Sequence, residues 1–270
     1  MGSCLYIIEK GERKMKFTLD YLEYAILIFA RVSMIIVIAP FFNNMNIPRR
    51  IKFVIAFFLS VVVMHVVDYT AVSYDSMIGY TGLLVKEAVT GLLIGVGAGF
   101  CMYILNFSGN MIDMEIGFAM AMEMDPTTNV QTTLTATFFT AIFMLMFITN
   151  DMHYYIIDAI YQSYKLIPIG EAKFSPFLYQ IFTEYIVDFF VIGFRIILPV
   201  FSCILVVNVV LGILAKVAPQ MNMFVIGMQL KIFVGLFLLF VLMSFIPGIV
   251  DFIFDEMQKL TKMFVQSMST

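Results

Sequence analysis

Six long apolar segments constrain the fold of this 270-residue chain more than any other feature of its sequence. They cover residues 19–42, 51–67, 82–107, 134–149, 182–214 and 223–254. Hydrophobic residues make up 61% of the chain and charged residues 13%, whereas soluble domains are about 45–50% apolar and about 25% charged. A soluble protein with so few charges could not cover its surface with polar groups. The sequence therefore predicts an all-α membrane-associated protein and argues against a soluble cytoplasmic enzyme.

These segments fit a conventional set of membrane crossings poorly. A bilayer core needs about 20 helical residues, but two segments are shorter than this and the one at 182–214 is much longer. Pro199 lies inside the long segment, where a proline is expected to kink or divide a helix. Without the first fourteen residues, the basic residues are nearly evenly distributed over the two sides, so the positive-inside rule gives no orientation. We expect six apolar helices that are not six simple crossings.

Glycines recur every four residues at Gly91, Gly95 and Gly99, in the sequence GLLIGVGAGF. On a helix this spacing places them on one face, where another backbone can approach closely. A glycine-rich nucleotide loop would need a different third spacing and a preceding strand, and the sequence has neither. The spacing therefore predicts close helix packing.

Charged residues inside apolar segments are a second unusual feature. Each one costs several kcal/mol in hydrocarbon unless it is paired or hydrated, so it suggests a functional or structural role. Lys86 and Glu87 are adjacent and point in different directions, whereas Asp188 and Arg195 share a helix face without touching. A proton or ion relay and polar contacts around an aqueous path or between subunits both stay open. The candidate buried charges are Arg31, Glu87, Asp188, Arg195 and Lys216.

Residues 109–126, with the sequence GNMIDMEIGFAMAMEMDP, contain five methionines, four acidic residues and no base. Their apolar positions follow neither a helical nor a strand period throughout. Methionine is unbranched and adaptable, so a cluster can seal a surface and part again. One interpretation is a deformable plug with glycine hinges and a mouth kept wet by the acidic residues; the other is a methionine-filled core connection. The candidate gating residues are Gly109, Met111, Met114, Gly117, Phe118, Met120, Met122 and Met124.

The sequence offers little for catalysis, metal binding or nucleic acid. His65 and His153 lie in neither an HExxH motif nor near a GxSxG elbow. Nothing fixes the geometry of the carboxylates at 109–126 for a metal. The net charge of −3 gives no general affinity for nucleic acid. We expect no enzyme activity and no cofactor.

The most specific pattern lies between Pro199 and Leu236, in PVFSCILVVNVVLGILAKVAPQMNMFVIGMQLKIFVGL. Its order of a proline, an amide, a glycine, a base and Ala-Pro-Gln-x-Asn resembles the signature of the FliR family of flagellar export-gate proteins, whose injectisome counterparts are the SctT proteins. The resemblance covers residues 17–255. Glu115, Asn208 and Lys216 depart from the residues more common in the family, which are Gln, Asp and Arg. The other matching positions are Arg31, Pro40, Pro48, Glu87, Gly91, Gly95, 109–126 and 166–170.

This resemblance implies a structural and gating subunit of the flagellar type III protein export channel. It implies assembly with FliP-like and FliQ-like subunits, near FlhA-like and FlhB-like components, around a path for unfolded substrates in the bacterial inner membrane at the flagellar basal body. The implied fold is a set of long, kinked helical hairpins resembling a fused FliP-like and FliQ-like pair. In that family residues 109–126 correspond to a pore-plugging loop, which favours the plug interpretation.

The resemblance also divides the chain into an amino-terminal extension at 1–16, a FliP-like portion at 17–177 and a FliQ-like hairpin portion at 178–270. The residues expected to set helix packing or assembly are Gly91, Gly95, Gly99, Pro199, Gly212, Pro219, Gln220 and Asn222. An ion-coupled secondary transporter is the alternative function. It would use Glu87, Asp188 and Arg195 at broken helices and should show similarly interrupted halves, but the sequence has no convincing internal repeat.

Overall fold

A computed structural model describes residues 19–40, 42, 47–67, 74, 76–118, 123–124, 131–220 and 222–269. These residues form eight helices and one two-stranded antiparallel pair, which confirms an all-α fold class. The helices are α1 (Leu19–Ile38), α2 (Arg49–Val66), α3 (Met77–Ile116), α4 (Leu134–Thr149), α5 (Met152–Leu166), α6 (Leu178–Val217), α7 (Met223–Leu242) and α8 (Ile246–Ser269). The strands are β1 (Glu123–Met124) and β2 (Gln131–Thr132).

Eight helices replace the six expected because one break and one additional helix are hard to see in the hydropathy. The apolar segment at 223–254 divides into α7 and α8 near Pro247, which lies in the first turn of α8, where proline is tolerated. Helix α5 is less apolar and follows α4 after a turn at Asn150 and Asp151. In contrast, Pro199 does not divide α6, which continues for 40 residues. Ile196, Ile197, Val200 and Ile204 are buried on both sides of it, so packing keeps the helix continuous.

Helix α3 is the centre of the fold and contacts α1, α4, α6 and α8. Most of its residues from Glu87 to Ile116 are buried. Helix α8 buries residues three and four positions apart, from Val250 to Met268, which is the pattern of an amphipathic helix against a core. Because α6 and α8 both pack on α3, the portions before and after residue 177 share one core.

The glycines at 91, 95 and 99 lie where α3 crosses α1. A Cβ atom at Gly91 would come within 2.2 Å of the carbonyl oxygen of Arg31, and one at Gly99 within 3.1 Å of the carbonyl oxygen of Ile38. The Cβ position at Gly95 is 3.1 Å from the Cβ of Ile38. The close approach that the spacing predicts is therefore made to α1 of the same chain.

In the part of the chain that the structure describes, four helices are long and apolar enough to cross a membrane: α1, α3, α6 and α7. The pair α4 and α5, bent by 71°, would make a fifth crossing if it is one broken span. Helices α3 and α6 have 40 residues each, which corresponds to about 60 Å at 1.5 Å per residue, twice the roughly 30 Å of a bilayer core. Each long helix therefore exceeds the length that one simple crossing requires, which agrees with the poor fit of the apolar segments to simple crossings.

Candidate functional site

Arg31 on α1 and Glu87 on α3 form a fully buried ion pair. The Nε of Arg31 donates to one carboxylate oxygen of Glu87 at 2.6 Å, and Nη2 donates to the other at 3.1 Å. This bidentate geometry is favoured by the planar guanidinium group, whose N–H groups match the two carboxylate oxygens. Two of the charges expected inside apolar segments therefore neutralise each other, although they are 56 residues apart in sequence.

The ion pair also holds the connection that follows α5. Nη1 of Arg31 donates to the carbonyl oxygen of Ile167 at 3.0 Å, and the backbone N–H of Gly170 donates to Glu87 at 2.8 Å. The ammonium group of Lys86 donates to the carbonyl oxygen of Gly170 at 2.9 Å. Gly170 has a φ of 84°, which favours glycine. Lys86 and Glu87, expected to point in different directions, thus both bind backbone groups of Gly170. Helices α1 and α3 and the connection are joined in one network.

The structure moves the start of the expected loop from Gly109 to Gly117. Residues 109–116 are the last two turns of α3, with Ile112, Asp113 and Ile116 fully buried. Gly117 ends the helix with a φ of 97°, a left-handed conformation typical of a glycine helix terminator. The chain between α3 and α4 is therefore residues 117–133, which we term the joining segment, and it includes the paired strands β1 and β2.

Gly109 is a packing residue, and the expectation that it is a hinge is wrong. It lies inside a continuous helix, and a Cβ atom there would be 2.4 Å from the Cα and 2.5 Å from the backbone nitrogen of Ala136 in α4. At Gly117, by contrast, no described atom lies within 4 Å of the Cβ position, and its role as a hinge stays a prediction.

Asp113 locks the start of α4 onto the end of α3. The backbone N–H of Thr135 donates to one of its oxygens at 2.7 Å, and the hydroxyl of Thr135 donates to the other. Beside it, the Thr133 hydroxyl donates to Oδ1 of Asn110 at 2.9 Å. A carboxylate at a helix N-terminus is favourable because the first N–H groups there lack partners. Asp113 therefore does not keep a channel mouth wet, as expected from sequence, but is fully buried.

The candidate gating residues fall into separate environments. Met111 and Phe118 are partly buried and pack against the core, whereas Met114 is 57% exposed. Met120 and Met122 lie outside the described residues. Met124 belongs to β1, where it pairs with Gln131. Fewer than five methionines are thus available for the expected sealing surface, because Met111 packs against the core.

We expect Gly109→Ala to destabilise the fold by about 1–3 kcal/mol, because the new methyl group overpacks the contact between α3 and α4. Gly82→Ala is the matched control: it lies in the same helix, nothing is within 4 Å of its Cβ position, and alanine is the better helix former by about 1 kcal/mol. Thermal unfolding of the two variants in detergent separates these effects. Equal melting temperatures would contradict the packing role.

The family-motif residues near the turn between α6 and α7 have little role inside the chain. Gly212 has nothing within 4 Å of its Cβ position, and Pro219 and Gln220 lie in an exposed turn. Asn222, just before α7, is also exposed. Their expected role in assembly stays a prediction.

Three other charges differ from expectation. Arg195 and Lys216 are exposed on the chain, so their expected burial is wrong for the single subunit; Asp188 is half-buried. Arg195 shares an exposed stripe of α6 with Leu198, Pro199 and Ser202, because the opposite stripe faces the core. The hydrogen bonds of Glu87 go to Arg31 and Gly170, and no contact of Glu87 favours a transport site with Asp188 and Arg195.

Comparison with known proteins supports one family over nearly the whole chain. Residues 22–257 match the family described as "Bacterial export proteins, family 1". The flagellar biosynthetic protein FliR of Bacillus subtilis is 32% identical over 248 residues, which are 89% of this chain and 94% of that protein. FliR of Aquifex aeolicus is 25% identical over 92% of this chain and 96% of its own length, and FliR of Escherichia coli is 25% identical over 84% and 86%.

Proposed function

Because this chain belongs to the bacterial export protein family that includes the flagellar biosynthetic protein FliR, we propose that it is a structural and gating subunit of the flagellar protein export channel. It is a component of the flagellar export apparatus, and its apolar helices place it in a membrane. Its relatives carry the name of a flagellar biosynthetic protein and not of an enzyme. We assign it to the bacterial inner membrane at the flagellar basal body.

The proposed gating role is supported by the contacts that hold the two ends of the joining segment together. Asp113 and Thr135, Asn110 and Thr133, and the glycine contact at Ala136 fix the end of α3 against the start of α4. Between these fixed points the chain leaves α3 at a glycine with positive φ and carries three methionines. A gate needs a rigid frame and an element that can move from it. Adaptable methionine side chains can close around different surfaces when the channel is empty.

Apolar surface on the hairpin of α6 and α7 supports assembly with other subunits. In the apolar stretch of α7 only 17% of the residues are buried inside the chain, compared with 67% in the apolar stretch of α3. Phe224, Phe233, Phe237 and Phe240 are among its exposed side chains. We propose that FliQ-like and FliP-like subunits cover this hairpin. In this proposal residues 17–177 are the FliP-like portion of the chain and residues 178–270 are the FliQ-like portion. Further proposed partners are FlhA-like and FlhB-like components and the unfolded substrates.

Co-purification tests this assembly. When the chain is tagged and expressed with the FliP-like and FliQ-like proteins of its own organism, native mass spectrometry is expected to show one complex containing all three. Phe237→Ser with Phe240→Ser on α7 is expected to remove most of the FliQ-like subunit. Phe53→Ser with Phe57→Ser on α2 is a matched control, because those side chains are similarly exposed. Recovery of the tagged chain alone, or equal partner loss from both double variants, would contradict the proposed assembly.

A further inference from the structure

Helix α2 has an apolar face that no described part of the chain covers. It packs on α1 through Ala56, Ser60 and Val63, which are buried, and through an edge-to-face contact of Phe53 with Phe29 at a ring distance of 5.2 Å. Apart from the basic residues at its start and His65, its remaining surface is mostly apolar and exposed. The side chains of this face are Ile51, Phe53, Val54, Phe57, Phe58, Val62 and Val66.

Three basic residues, Arg49, Arg50 and Lys52, begin the same helix. Among the described residues, none of the three forms an ion pair. Partial burial and, to a smaller extent, the charge of Arg49 lower the pKa of Lys52. Cations are also disfavoured in the first turn of a helix, where the helix dipole is positive. The start of α2 therefore concentrates positive charge that no described carboxylate compensates, and an anion would bind there favourably.

The structure favours a lipid as the source of that anion. We propose that α2 binds the anionic phospholipids of the membrane, with their phosphates at Arg49, Arg50 and Lys52 and their acyl chains along the Phe53 and Phe57 face. A basic end joined to an apolar, aromatic face is the pattern of helices at the surface of anionic bilayers. A second copy of this face would bring three further cations to the same place, and an acidic protein surface would match the charges but leave the aromatic side chains unmatched.

Helix α2 is not among the four helices long and apolar enough to span a membrane. Its 18 residues rise about 27 Å, slightly less than the roughly 30 Å of a bilayer core. Its basic end can therefore lie at the level of the phosphates while its aromatic face contacts acyl chains.

The chain has no tryptophan, so one introduced tryptophan reports on a single place. Phe53→Trp puts this reporter three residues after Arg50 and four after Arg49, on the same helix face. The full-length variant is reconstituted in bilayers containing brominated phosphatidylglycerol or brominated phosphatidylcholine, which quench nearby tryptophan. We expect phosphatidylglycerol to be preferred at this place by at least roughly fivefold, the effect of about one basic residue near an anionic surface.

Neutralising the charges by Arg49→Gln, Arg50→Gln and Lys52→Gln is expected to reduce the preference to nearly one. Phe240→Trp, on the exposed face of α7, is the control and should show no preference. Equal quenching by the two lipids at position 53, a preference that survives neutralisation, or the same preference at position 240 would overturn the proposal. A photoreactive amino acid at Phe58 in cells should form lipid adducts, and adducts to a protein would overturn it as well.

Discussion

Replacing Glu87 with glutamine is expected to lower the free energy of unfolding by about 3–5 kcal/mol, which is the usual cost of leaving one member of a buried ion pair unpaired. Arg31 is fully buried, and its charge would face carbonyl oxygens and the Tyr164 ring, 4.3 Å away, without a carboxylate. Glutamine also donates hydrogens where Glu87 accepts them from Arg31 and Gly170. The connection after α5 is therefore expected to loosen together with the contact between α1 and α3.

Denaturant or thermal unfolding of the full chain in detergent measures this effect. Glu184→Gln is the matched control, because Glu184 pairs with Lys259 at 3.3 Å on the surface, where both side chains are about half exposed. Removing an exposed pair costs roughly 0–1 kcal/mol. A loss of stability in Glu87→Gln no larger than that of the control would show that the buried network does not hold the fold together.

The double variant Arg31→Met with Glu87→Met distinguishes charge balance from packing. Replacing a buried ion pair by apolar side chains is often neutral or stabilising. Here the carbonyl oxygen of Ile167 and the N–H of Gly170 would lose their bonds to Arg31 and Glu87. We therefore expect the double variant to recover only part of the stability lost in Glu87→Gln.

Composition, glycine spacing and the Ala-Pro-Gln-x-Asn pattern were enough to predict the all-α class and the family. Composition indicates the environment of the protein surface, and a four-residue spacing indicates which residues share one helix face. Both signals are local, so they can be interpreted without knowing which distant residues are in contact. The pairing of Arg31 with Glu87 depends on such a distant contact, and no local pattern links positions 56 residues apart.

The boundary of the joining segment could not be predicted for a similar reason. Gly109 and Asp113 indicate a loop when they are considered locally, because glycine and aspartate are poor helix formers. In the folded chain Gly109 allows Ala136 to approach, and Asp113 caps α4, so tertiary contacts with residues more than twenty positions later keep this part of α3 helical. The burial of Arg195 and Lys216 was wrong because an apolar segment in this chain has an outward face as well as a core face.

Replacing the methionines that are proposed to seal the channel is expected to open it at rest. Met120, Met122 and Met124 follow the helix end at Gly117 and precede the pinned start of α4. Burying one methionine side chain stabilises a closed state by about 1.5–3 kcal/mol. Changing all three to serine is therefore expected to raise the open fraction by more than about tenfold, since each 1.4 kcal/mol corresponds to a factor of ten.

The matched control changes three methionines elsewhere, Met34, Met77 and Met144, to serine. They lie in α1, at the start of α3 and in α4, outside both the joining segment and the hairpin of α6 and α7 that is proposed to bind the partner subunits. Neither triple variant touches Asp113, Thr135 or Gly109, so the base of the segment stays intact and both variants should still co-purify with their partner subunits. This separates a loss of sealing from a loss of assembly.

The ion conductance of the purified, assembled complex in planar bilayers tests the gating role most directly. We expect a closed wild-type complex and a similarly closed control triple variant. The complex with Met120, Met122 and Met124 changed to serine is expected to conduct ions at rest. An assembled complex in which this last variant conducts no more than the wild type would contradict the gating role of the joining segment.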